Sequence, residues 1–95
     1  QAKGAKVILV TPAVIGERND QSNPQDGELN LYSNWIRIYA REHQLTLVDC
    51  RKLFLEYSIK NNPKQLDKGF LTYDRVHLND AGNQLVADAI WEAIK

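Results

Sequence analysis

One cysteine, Cys50, is all the sequence holds, so no internal disulfide can form and no disulfide framework supports the fold. A buried free thiol is the reading that remains for it. Long apolar runs are missing too: the longest, Val7 to Val10, is far too short to span a bilayer. The opening Gln1-Ala2-Lys3-Gly4 shows no signal-peptide pattern. Neither absence assigns a compartment, and secreted, periplasmic and cytoplasmic locations all stay open. An excess of charge is also lacking, with twelve basic residues against twelve acidic ones and no basic run interleaved with aromatics. Nucleic acid and anionic membrane surfaces are therefore not expected partners. Cys-x-x-Cys and His-x-x-x-His spacings do not occur, so neither metal nor cofactor is expected. His43, beside Glu42 at an expected helix end, reads as an imidazole favoured by the helix dipole and not as a ligand.

The 95 residues allow one domain, and a chain of that size buries only roughly two-thirds of the surface its unfolded form exposes. Lys6-Val7-Ile8-Leu9-Val10-Thr11-Pro12 has no alternation, the mark of a parallel strand covered on both faces, and it stops at proline. From Ala13 to Gly27 the chain turns polar and rich in Gly, Asn, Asp and Pro, which predicts a long loop. Loops of that length are usually functional or disordered.

Tyr32, Trp35, Ile36, Tyr39 and Ala40 recur at three-and-four spacing, which predicts an amphipathic helix from about Glu28 to His43 that covers a sheet face. Leu45-Thr46-Leu47-Val48-Asp49 reads as a second strand. A helix follows in which Leu53, Phe54 and Tyr57 share a face, ended by Asn61-Asn62-Pro63. The last helix is expected from about Ala81 to Ile94, with Leu85, Val86, Ala89, Ile90 and Ala93 as its stripe and Asn79 or Asp80 as its cap. This order implies an α/β fold with a parallel βαβ unit. Two buried parallel strands do not make a self-sufficient sheet, so another segment, another chain or a second copy is expected to supply the rest.

Chemistry concentrates in Phe70-Leu71-Thr72-Tyr73-Asp74-Arg75-Val76-His77-Leu78-Asn79-Asp80-Ala81, a loop leading into the final helix. A carboxylate three residues before a histidine can accept a hydrogen bond from one ring nitrogen and leave the other as general base. By itself Asp-x-x-His is a weak signal, which also suits a loop brace or part of a metal site.

With Leu78, Asn79 and Gly82 added, the stretch resembles the last block of the SGNH/GDSL hydrolases, often written DxxHLNxxG. The preceding order is similar as well: a strand ending in Thr-Pro, a polar loop, a helix, and a short strand ending at Leu47-Val48-Asp49. The resemblance covers nearly the whole chain. It implies a partial flavodoxin-like three-layer α/β/α fold, of which residues 1–95 form the C-terminal βαβα portion. It also implies a catalytic role for Asp74 and His77, as triad acid and base, in hydrolysis of short acyl esters, acetyl esters of carbohydrate among them.

The family's Gly-Asp-Ser segment, glycine block and Gly-x-Asn-Asp block have no counterpart here. Gly16-Glu17-Arg18-Asn19-Asp20 has one residue too many for the last of these and follows the Thr-Pro strand, where the family's block precedes it. Ser22, Ser33 and Ser58, the only serines, do not sit on a strand-to-helix turn that would expose a nucleophile. The expected partners are thus an ester substrate and either the N-terminal half of the same hydrolase or a complementing chain, with self-association as a further possibility. Without them the chain is expected to be inactive. The alternative is a non-catalytic α/β interaction module that assembles through its open sheet edge.

Trp35 and Trp91 read as packing or interface residues. Glu17 and Arg18, just past the Thr-Pro strand, either form a solvated charge pair or border the substrate pocket. Arg75 and Asn79 either shape that pocket or serve as loop brace and helix cap.

Overall fold

A computed structural model describes residues 7–95. Its elements are β1 (Ile8–Val10), α1 (Asp26–Glu42), β2 (Thr46–Val48), α2 (Cys50–Asn61) and α3 (Asp80–Ile94). β1 and β2 pair in parallel, with Ile8 opposite Thr46, Leu9 opposite Leu47 and Val10 opposite Val48. Parallel strands need a crossover, and α1 provides it. The mixed α/β class and the βαβ unit are those the sequence pattern implies.

The strands are shorter than the sequence pattern suggests, and Lys6 lies outside the described residues. Past Val10 the ladder gains one more bond, from the Thr11 N–H to the Val48 carbonyl at 3.0 Å. Pro12 has no N–H with which to continue it. Cover of β1 on both faces is not seen. Val7 and Val10 are 37% and 43% exposed, and β1 has a described strand on one side only.

α1 starts and ends near its expected bounds but is rotated relative to expectation. Ala40 is buried as expected and Ile36 half-buried, but Tyr32, Trp35 and Tyr39, also expected against the sheet, are exposed, and Asp26 and Ser33 are buried. Asp26, Asn30, Ser33, Arg37 and Ala40 recur at spacings of four and three, so they line a single face. That face is mostly polar, and bonds to its partners set the rotation: Asp26 and Asn30 bond Arg51, while Arg37 grips Asp49. Hydrophobic periodicity alone cannot detect an inward face built from polar groups that satisfy one another.

The core gathers Val14, Val48, Cys50, Phe54 and Leu71, with the α3 stripe of Leu85, Val86, Ala89, Ile90 and Ala93 packed against it. Phe54, 1% exposed, contributes on the order of 2–3 kcal/mol by its burial. Cys50 is a buried free thiol, pushed up by desolvation and by the neighbouring Asp49 charge. Asp49 caps α2 by accepting the Lys52 N–H, and Asn79 caps α3 by accepting the Gly82 N–H at 2.9 Å. Gly82 is required where α3 begins, since a Cβ there would stand 2.2 Å from the Leu71 carbonyl oxygen.

Candidate active site

The segment before α3 is folded onto itself. Thr72 and Leu78 form an antiparallel bridge, the Asn79 N–H donates to the Leu71 carbonyl at 2.9 Å, and the Tyr73 N–H donates to the His77 carbonyl at 3.2 Å. Asn79 Nδ2 adds a bond to the Phe70 carbonyl. The closed loop carries both Asp74 and His77 on its exposed tip.

Asp74 has two tasks there. Its Oδ1 accepts the backbone N–H groups of Val76 and His77 at 3.0 and 2.6 Å, a local turn that suits aspartate. Its Oδ2 lies 2.5 Å from His77 Nδ1. The His77 backbone N–H, then the His77 ring, hold the Asp74 carboxyl down to about 2, so it is ionised across the ordinary pH range. An ionised Oδ2 selects the tautomer that carries its proton on Nδ1. The Tyr73 ring stacks with that of His77, 6.0 Å away and inclined by 15°. The His77 side chain is 70% exposed, and no described residue hydrogen-bonds its Nε2. Such a pair can hold a base in one orientation with its reactive nitrogen facing outward.

Arg75, between the two, has a φ of 80°, a left-handed conformation that costs a non-glycine residue energy. Two bonds hold it: its N–H donates to Thr72 Oγ1 at 3.1 Å, and its carbonyl accepts the Gly16 N–H at 2.8 Å. With Arg18, Ser22, Asn23, Pro24 and Asp67 it lines a polar cavity of about 250 Å³ between this loop and the one following β1.

The serines do not meet His77. Ser33 and Ser58 are buried, and the Ser58 hydroxyl donates to the Glu17 carbonyl. Ser22 is exposed in the loop after β1, where its N–H bonds Asp20. Among the described residues no three of His, Cys, Asp and Glu gather as a metal site, and no helix is long and apolar enough to cross a membrane.

Residues 1–85 match the GDSL-like Lipase/Acylhydrolase family. The chain belongs to that family. Its structure is similar to that of the acetyl xylan esterase AlAXEase, with a TM-score of 0.93 and 55% identity over 97% of this chain and 46% of that one. It is also similar to a catalytic mutant of Axe2, an acetylxylan esterase from Geobacillus stearothermophilus. There the TM-score is 0.75 and the identity 28%, over 94% of this chain and 37% of that one. Another Axe2 mutant, described as an acetyl-xylooligosaccharide esterase, gives 0.76 and 28%. No curated protein matches. The GDSL-like chain therefore spans less than half the length of these solved esterases.

Three further residues sort clearly. Asn79 serves as cap and brace. Glu17 and Arg18 do not form a solvated pair: Arg18 bonds Asp67 at 2.8 Å, and Glu17 is 4% exposed with its carboxylate against residues 70–72. The sequence held no signal for that burial, because the partners of the Glu17 carboxylate, three backbone N–H groups and the Thr72 hydroxyl, lie more than fifty positions away.

Proposed function

We propose that this GDSL-like chain supplies the acid and base of a serine esterase, with Asp74 orienting and His77 transferring protons. The observation that carries the reading is the 2.5 Å contact between Asp74 Oδ2 and His77 Nδ1 beneath an exposed ring. In the proposed reaction Nε2 takes the proton of a serine hydroxyl as its oxygen attacks the ester carbonyl. Asp74 stabilises the imidazolium, and the proton passes to the departing alcohol. Water then attacks the acyl-enzyme with His77 again as base, releasing the acid. The substrate we infer is a short acyl ester, foremost an acetyl group on xylan or a similar glycan. The names of the similar solved esterases support this.

Nucleophile and oxyanion donors come, in this reading, from a further part of the hydrolase, in the same polypeptide or in a complementing one, and residues 1–95 are its C-terminal portion. The edge of β1 that no described strand covers and the exposed Leu31, Tyr32, Trp35, Ile38 and Tyr39 of α1 support it, as surface that wants cover. The same surface favours a second reading, an interaction module that assembles through this edge and does no chemistry.

Native mass measurement joined to a p-nitrophenyl acetate assay separates the two. The esterase reading expects the chain by itself to be inactive. It expects turnover with the complementing part present, lost on the order of 10³-fold or more in His77→Ala. Turnover that is indifferent to His77→Ala in the assembled protein removes the triad. Serine-dependent turnover by the 95 residues alone removes the missing nucleophile.

A further inference from the structure

We infer that Glu17 is a positioning residue for the Asp74–His77 pair, acting through the backbone of residues 70–72 and the hydroxyl of Thr72. The inference deepens the esterase reading and rests on it for its catalytic meaning.

Glu17 lies in the loop after β1 and is itself immobilised. Its N–H donates to the Asp67 carbonyl at 2.8 Å, and its carbonyl accepts from Ser58 Oγ and Asn62 Nδ2. The carboxylate then crosses to the catalytic segment. Oε1 accepts the Leu71 N–H at 2.8 Å, while Oε2 accepts the Phe70 and Thr72 N–H groups at 3.3 and 3.1 Å and the Thr72 hydroxyl at 2.6 Å. Those bonds engage three consecutive residues, and no lysine or arginine among the described residues pairs with this carboxylate. A buried charge without donors is costly, so the N–H groups that replace water here also hold the backbone that carries them.

The link continues to the reacting pair. Thr72 Oγ1 spends its hydrogen on Glu17, which leaves its lone pairs for the Arg75 N–H at 3.1 Å. Arg75 is the left-handed residue between Asp74 and His77, so Glu17 fixes the hydroxyl that fixes the strained turn. An anion is needed for this. Glutamine has nearly the same shape but offers one acceptor oxygen, and its NH2 would face donors it cannot accept from.

The test reads the pair itself. In the 95-residue chain, the carboxyl carbon of Asp74 is followed by NMR against pH, alongside thermal melting, for wild type, Glu17→Gln, Thr72→Val and Thr72→Ser. If Glu17 positions the pair, Glu17→Gln and Thr72→Val loosen the contacts that hold Asp74 near 2, and its acidity weakens by about tenfold. Thr72→Ser, which keeps the hydroxyl, stays at the wild-type value. A brace with no positioning role lowers the melting temperature of Glu17→Gln and leaves the Asp74 titration unmoved in every variant, which overturns the inference. If Glu17→Gln does not fold, the Thr72 variants decide alone: a shift in valine but not serine supports the link, and no shift in either ends it. The two readings fail separately. A moved Asp74 titration with turnover unaffected by His77→Ala in the assembled hydrolase keeps the positioning and removes the triad.

Discussion

Arg51 Nη2 and Asp26 Oδ1 meet at 2.7 Å with their side chains 1% and 3% exposed, joining the first turn of α2 to the first turn of α1. Each nitrogen of the guanidinium is engaged: Nε bonds Asn30 Oδ1 at 3.0 Å and Nη1 bonds the Ala13 carbonyl at 3.1 Å. Asp26 Oδ2 meanwhile accepts both the backbone N–H and the side-chain amide of Asn23. Removing one member leaves the other charged and buried. Asp26→Ala is expected to cost about 3–5 kcal/mol, and Arg51→Lys to recover little of an equivalent loss because an ammonium cannot reproduce the fork. Urea unfolding midpoints measure both.

The same pair explains what could and could not be seen in the sequence. Both strands, the crossover and the Asn79 cap, though not the α2 cap Asp49, which reads as the end of the second strand, follow from local patterns that the chain spells out within a few residues. So does the Asp74–His77 contact, because three positions within one turn suffice to make it. The rotation of α1 does not. Its inward face is chosen by Arg51 and Asp49, which lie outside the helix, and those partners place Ser33 inside and Trp35 outside. Glu17 was hidden for a related reason: apart from the Thr72 hydroxyl its carboxylate meets backbone groups of residues 70–72, and backbone donors have no letter in the sequence.

Gly82 offers a test in which helix propensity and packing oppose each other. Alanine is the better helix former by about 1 kcal/mol. Its methyl would stand 2.2 Å from the Leu71 carbonyl oxygen, which also accepts the Asn79 N–H. Gly82→Ala is therefore expected to destabilise the fold by about 1–3 kcal/mol despite the gain in propensity. Gly27→Ala, with open space around the added carbon in α1, is expected to be neutral or stabilising. Thermal melts of the two variants side by side make the comparison.

Asp74 sets a distinct acid limb. Its folded value near 2 lies below the unfolded value of about 3.9, so its contribution to stability is complete above the unfolded value and disappears as pH falls through the folded one. Asp74→Asn lacks that contribution at every pH. The stability difference between wild type and variant is expected to be constant from pH 7 to 5, then to shrink between about pH 4 and 2. Urea titrations at pH 6, 4 and 3 would read it, and a difference that stays level down to the lowest pH would place the shift elsewhere.

The bridge between Thr72 and Leu78 makes the spacing of acid and base a property of one short ring of chain. A change of chain length elsewhere that keeps the Glu17 bonds to residues 70–72 carries the two residues along together. A single residue inserted between Asp74 and His77 would instead break the turn that joins them, however sound the remaining fold. Insertions between Thr72 and Leu78 should thus cost the alignment of the pair even where they leave the core intact, a sensitivity set by the closure of the ring and not by the depth of the core.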